Sequence, residues 1–223
     1  MKTIVKAKDL CKTFSNESLQ QHVLKNLNLE IEQGDFVVIM GNSGSGKSTL
    51  LYALSGMDHP TLGSVKYFDE EITGYNNDKL AIFRRNHCGF VFQQNFLNDT
   101  MSVLDNIMVS GLLKGKDRKV IAARAKQLLA QVGLSEEVYH KFPTQLSGGE
   151  QQRVAIVRAI INTPDILFAD EPTGALNSQN TENVLNVLTE LNRAGQTIVM
   201  VTHDPKIAAG THRTIHMKDG KIR

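Results

Sequence analysis

The chain has 223 residues, 22% of them charged and 41% hydrophobic, and a formal net charge of +2. That length can bury a substantial core, and that composition belongs to an ordinary globular chain rather than a disordered or fibrous one. The basic excess is too slight and too scattered to point to nucleic acid, and the two cysteines, Cys11 and Cys88, lack metal-ligand spacing and suit a reducing compartment.

The opening MKTIVKAKDL holds no apolar core of signal-peptide length. No run approaches the roughly 18 apolar residues of a membrane span, so any membrane role requires a separate membrane subunit. Seven histidines are spread along the chain. His212 and His216 stand four apart with no third ligand near them, so no metal site is read there.

Residues 4–10, 22–31 and 36–40 read as strands, with Gly34-Asp35 turning between the last two. Phe14 falls in a polar stretch (KTFSNES) read as a loop after the first strand. Two readings of it stand open: an exposed ring that stacks on a nucleotide base, or a ring tucked onto a sheet edge. FVVIM at 36–40 is fully apolar, and KSTLLYAL at 47–54 is a helix with an apolar stripe. Between them lie Gly41, Asn42, Ser43, Gly44, Ser45 and Gly46, followed by Lys47, Ser48 and Thr49. This fits G-x-x-x-x-G-K-[ST]. Glycines let successive amides point into one concavity at the positive end of a helix. Lys47 then reaches the β- and γ-phosphates of a nucleotide, and the Ser48 hydroxyl holds Mg²⁺.

GFVFQ at 89–93 reads as a buried strand ending on Gln93, whose side-chain oxygen suits Mg²⁺ and could sense a γ-phosphate. The pattern then turns helical, from about residue 95 to 161, with clear helices at 121–132 and 151–161. The second of these follows Leu146-Ser147-Gly148-Gly149-Glu150-Gln151. Ser147 with Glu150 forms a capping box, yet a plain cap does not call for Gly148 and Gly149. Their bared amides attract an anion, so the string reads as half a site awaiting a phosphate presented from elsewhere.

The apolar strand 166–169 leads into Asp170-Glu171. Ligands in open α/β sheets sit at the carboxyl ends of strands, and two carboxylates there need a cation to offset them. Asp170 is assigned to Mg²⁺ and Glu171 to the attacking water. A helix at 181–191 and a strand at 197–201 follow, and His203 stands just past that strand, able to hydrogen-bond a γ-phosphate or the water. Residues 215–222 read as a hairpin around Asp219-Gly220. The fold class is α/β, a core interrupted by a helical insert and resumed after it.

The order of these motifs resembles the nucleotide-binding subunit of ATP-binding cassette (ABC) transporters, from about Ile4 to the end of the chain. GNSGSGKST looks like the Walker A loop, Gln93 the Q-loop glutamine, LSGGEQQR the family signature, ILFADEP Walker B and His203 the switch histidine. Phe14 falls where the family places a stacking aromatic. The resemblance implies a P-loop NTPase with a RecA-like core, a small antiparallel β portion and a helical subdomain. Residues 1–223 then form one ATPase domain, with 1–94 and 162–223 as core and β portion and 95–161 as helical subdomain. It also implies ATP and Mg²⁺, and hydrolysis with Glu171 and His203 catalytic. Two copies pack head to tail, Ser147 and Gly149 of one binding the γ-phosphate held by Lys47 of the other. An integral membrane permease is the implied partner, and the cytoplasmic membrane face the implied location.

The finer resemblance, carried by FRRNHCGFVFQQNFLNDTMSVLDNI, ADEPTGALN and MVTHDP, is to the lipoprotein-release, macrolide-export and antimicrobial-peptide-resistance group. Asn177 departs from the Asp that usually ends the stretch after Walker B. The competing reading is a cytosolic ABC ATPase without transport, which usually carries two cassettes or coiled-coil inserts that this chain lacks.

Overall fold

A computed structural model of the chain describes residues 2–16, 19–208, 211 and 213–223. In chain order the elements begin with β1 (Thr3–Asn16), β2 (Leu19–Glu32), β3 (Phe36–Met40), α1 (Lys47–Leu54), β4 (Leu62–Tyr67), β5 (Glu70–Glu71) and α2 (Asn77–His87). Next come β6 (Cys88–Phe92), α3 (Val103–Leu112), α4 (Arg118–Gln131), α5 (Gly148–Ile160), β7 (Ile166–Asp170) and α6 (Ser178–Arg193). The chain closes with β8 (Thr197–Thr202), α7 (Pro205–Ala208), β9 (Arg213–Lys218) and β10 (Lys221–Ile222). Two compact units result, Met1–Arg84 with Gly195–Arg223, and Arg85–Ala194.

In the first unit β1 pairs antiparallel with β2 on one side and with β4 on the other. β3 pairs in parallel with both β8 and β9. That central position explains its composition. Phe36, Val37, Val38 and Ile39 are all buried, as is every residue of β8, and strands covered on both faces read as continuous apolar runs. α1 buries Leu50, Leu51, Ala53 and Leu54.

In the second unit β6 and β7 run parallel. Helices α3, α4 and α5 pack on one another, and α5 also meets β6 and α6. α5 buries Val154, Ala155, Ile156, Val157 and Ile160, an apolar face at helical spacing. Among the described residues, no helix is long and apolar enough to cross a membrane.

The strand over 36–40 and the helix over 47–54 fall where the sequence puts them. Phe14 does not. It lies inside β1, opposite Gln21, because β1 runs past Leu10 through irregular register to Asn16. Polar residues hide such an extension, since backbone pairing in a hairpin does not require a buried face. β4, β5, α2 and α7 have no counterpart among the elements read from the sequence, and α3 falls in the stretch 95–161 that reads only as helical in general. α3 does carry a start signal, since the Ser102 hydroxyl accepts from the Asp105 N–H and caps the helix. His216 lies on β9, and His212 is outside the described residues.

Candidate active site

The phosphate-loop sequence folds as strand, turn and helix. The Ser45 N–H donates to the Asn42 carbonyl at 3.1 Å, closing a turn, and the Leu50 N–H donates to the Gly46 carbonyl at 2.8 Å. Gly46 is the N-cap of α1 with φ 97°, a left-handed conformation that glycine adopts at little cost, and it leaves the helix start without a side-chain cap. A Cβ at Gly41 would overlap the Met217 carbonyl oxygen. The turn after β9 braces the loop from outside, Gly220 N–H donating to the Ser45 carbonyl at 3.2 Å.

Two features of this loop fit a polyphosphate. The Ser45 Oγ is buried with no hydrogen-bond partner. The Lys47 side chain is buried too, and its ammonium donates to the Asn42 carbonyl at 3.1 Å. A buried ammonium on a single neutral oxygen suits an incoming anion. His203 shares the first unit with this loop. Met40 is paired with Thr202, so Gly41 and His203 leave neighbouring parallel strands at the same level. Phe14 is in this unit as well, 46% exposed.

The second unit repeats the device. Phe92 is paired with Asp170, so Gln93 and Glu171 leave neighbouring strands side by side. Glu171 has φ 47°, a conformation that costs a non-glycine residue about 1–3 kcal/mol and recurs at functional sites. Its carbonyl accepts from the Gly174 N–H at 3.0 Å, closing a turn through Pro172 and Thr173. The Gln93 amide lies over that turn: a Cβ at Gly174 would sit 3.0 Å from Gln93 Nε2. Asn177 then caps α6, its Oδ1 accepting from the Asn180 N–H at 2.9 Å. Within this unit the Gln93 carboxamide oxygen and the Asp170 carboxylate are hard donors of the kind that suits Mg²⁺. No cluster of three or more His, Cys, Asp or Glu occurs among the described residues.

Ser147 is the N-cap of α5, and the capping box is formed. Its hydroxyl and its N–H both donate to Glu150 Oε2, at 2.7 and 2.8 Å, and the Glu150 N–H returns a bond to Ser147 Oγ at 3.3 Å. The Ser147 hydroxyl, then its N–H, hold the Glu150 carboxyl below its ordinary value. A depressed carboxyl stabilises the fold above the unfolded value and loses that contribution as pH falls through the folded one. Ser147→Ala is therefore expected to weaken the acid-side loss of stability, read as thermal melts from neutral pH down to about 3. Parallel melt curves for both proteins would contradict this. Gly149 is fixed by packing, since a Cβ there would overlap the Asn180 side chain.

One set of contacts around Gln93 is invisible to motif reading. α5 clasps the segment around Gln93 with three side chains. Gln152 Nε2 donates to the Phe92 carbonyl at 2.8 Å, and Asn95 Nδ2 donates to Gln151 Oε1 at 2.7 Å. Arg158 donates to the Phe96 carbonyl at 2.6 Å and the Asn95 carbonyl at 2.5 Å. Burial pulls the Arg158 guanidinium below its ordinary pKa, a cost accepted for bonds to backbone carbonyls. The helix that begins at Ser147 is thereby tied to the strand end that carries Gln93.

The ABC transporter family profile matches residues 24–174. The chain is 47% identical over 200 residues, 90% of its length and 89% of its relative's, to the lipoprotein-releasing system ATP-binding protein LolD of Aquifex aeolicus. It is 44% identical over 221 residues to the macrolide export ATP-binding/permease protein MacB of Psychrobacter arcticus, covering 99% of this chain and 33% of that one. Among solved structures it matches the dimeric ABC transporter cassette MJ0796 with a TM-score of 0.90 and 40% identity, over 99% of this chain and 97% of that one. The same cassette in a dimeric post-hydrolysis state with ADP and Pi matches at 0.87, with the same identity and coverage. Phosphate loop, signature and post-strand carboxylates occur in a chain that matches LolD and the MJ0796 cassette over nearly their whole length, and the chain belongs to the ABC transporter family as an ATP-binding, ATP-hydrolysing subunit.

Proposed function

We infer that two copies of the chain close head to tail on two ATP molecules and drive a membrane permease bound at the cytoplasmic face. The observation that carries this reading is the match, over 99% of the chain, to a cassette solved as a dimer. In the reading, Lys47 and the amides of 41–49 grip the β- and γ-phosphates. Ser147 and Gly149 of the second copy contact the γ-phosphate from the other side. Mg²⁺, held by Ser48, Asp170 and Gln93, supplies charge neutralisation at the phosphates. Glu171 orients the attacking water and accepts its proton, and His203 donates to the γ-phosphate. Phe14 stacks on adenine. Residues 95–161 act as the helical subdomain, carrying the signature and passing the motion to the permease. The likeness to LolD and MacB supports extraction or export of a substrate that the membrane partner selects.

Co-purification from native membranes tests the complex. A tagged chain is expected to bring down one or two integral membrane proteins in stoichiometric yield; recovery of the chain alone from gently solubilised membranes would contradict it. Asn177 gives a second test. Asn and Asp cap helices about equally well, so Asn177→Asp keeps α6 and adds one charge to the segment that crosses the dimer interface in this reading. Turnover is expected to change while ATP affinity of the monomer stays nearly constant. Equal turnover in the two proteins would sink the idea.

A further inference from the structure

Lys12 belongs to none of the phosphate-binding motifs, yet it stands between the Phe14 ring and the segment after α1 in the first unit. Its side chain is only 12% exposed. The ammonium lies 2.6 Å from Asp58 Oδ1 and 2.7 Å from the His59 carbonyl oxygen, and 4.9 Å from the centre of the Phe14 ring. Asp58 lies just past the end of α1, the helix that begins at Lys47. The Asp58 and Met57 N–H groups both donate to the Tyr52 carbonyl, at 3.2 and 3.0 Å. A continuous path therefore runs from the aromatic ring through Lys12 and Asp58 into the helix behind the phosphate loop. β1 is anchored beside it, where the Thr13 N–H donates to Thr61 Oγ1 at 2.9 Å.

We propose that Lys12 is a positioning residue that presents one face of Phe14 to the adenine and sets the span between base and phosphate loop. The proposal rests on the reading of Phe14 as the stacking ring. Lys12 lies over one face of the ring, and in the proposal the base takes the other. Phe14 is nearly half exposed, and an exposed ring left alone samples several rotamers. A cation held over one face restricts it before the nucleotide arrives, and restriction in advance lowers the ordering cost of binding. The ammonium is held in turn by the Asp58 carboxylate, which offsets the cost of its burial. Lys12 thus acts on the base and leaves the reacting phosphate untouched.

The test compares Lys12→Met, Lys12→Arg and Phe14→Ala in steady-state ATPase assays on the full chain. Magnesium tripolyphosphate, which has phosphates and no base, serves as competitive inhibitor. Lys12→Met is expected to raise KM for MgATP about three- to tenfold, the scale of one freed side chain. Its kcat is expected to stay within about twofold, and the inhibition constant of tripolyphosphate to be unaffected, because the loss is confined to base binding. Lys12→Arg is expected to restore most of the KM, since a guanidinium both pairs with a carboxylate and stacks on a ring. If Phe14→Ala leaves KM unchanged, the stacking reading fails and takes this proposal with it. If Phe14→Ala raises KM but Lys12→Met does not, the proposal alone is overturned. If Lys12→Met weakens ATP and tripolyphosphate equally, Lys12 is a pin of the fold, and the proposal is likewise overturned. A thermal melt of each variant separates that last outcome from simple unfolding.

Discussion

Glu171→Gln lowers turnover by about 10²- to 10⁴-fold, the usual contribution of a positioned general base. The side chain keeps its size but loses its charge and its basicity, and glutamine inherits the same strained backbone at φ 47°. ATP binding is expected to be retained, because the proposed role of Glu171 is toward the attacking water rather than the phosphates. In MgATP the variant accumulates as a dimer, since hydrolysis no longer releases the closed state. ATPase assays and light scattering after size exclusion read the two effects. Unchanged turnover would remove Glu171 from the chemistry. A variant that stays monomeric at high concentration, even with its membrane partner present, would damage the head-to-tail arrangement.

Lys47→Ala acts earlier, on binding. The buried ammonium has the Asn42 carbonyl as its hydrogen-bond partner at 3.1 Å, so the fold gains little from it. Hydrogen bonds to charged groups contribute about 1.5–3 kcal/mol, which sets the loss of MgATP affinity at about 10- to 100-fold. Removing a weakly paired buried charge costs the fold little, so the melting temperature is expected to hold or rise. Calorimetric titration with a non-hydrolysable MgATP analogue and a thermal melt measure both. A large fall in melting temperature with unchanged nucleotide affinity would reverse the assignment, making Lys47 a structural residue.

The two variants differ in what the sequence alone could say about them. The Lys47 loop was legible because one continuous string encodes strand, turn and helix together, and local rules suffice. Glu171 and His203 were legible as residues at strand ends, but their neighbours were not. That Gln93 stands beside Glu171, and Gly41 beside His203, is a matter of register between strands far apart in the chain. Periodicity within a strand carries no information on its pairing partner. The clasp of Arg158, Gln151 and Gln152 on residues 92–96 was illegible for the same reason.

Gly149 shows a subtler limit. Read alone, it bares an amide for phosphate. The structure adds a second requirement, room for the Asn180 side chain at the start of α6. Either need alone would select glycine, and a sequence does not separate them. Phe14 shows the opposite failure. Its polar neighbours suggested a loop, whereas the hairpin of β1 and β2 carries it as a strand residue with Lys12 over its ring. None of residues 11–15 is fully buried, so the stretch lacks the alternation by which strands are recognised.

In the proposed arrangement one copy of the chain holds an incomplete site and a second copy completes it. The most direct test is the ATPase rate per chain as the purified chain is diluted in saturating MgATP. A site completed by a second copy predicts that the rate per chain falls with dilution, in proportion to concentration once dimers are scarce. A rate per chain that stays constant down to concentrations where light scattering shows only monomer would contradict it.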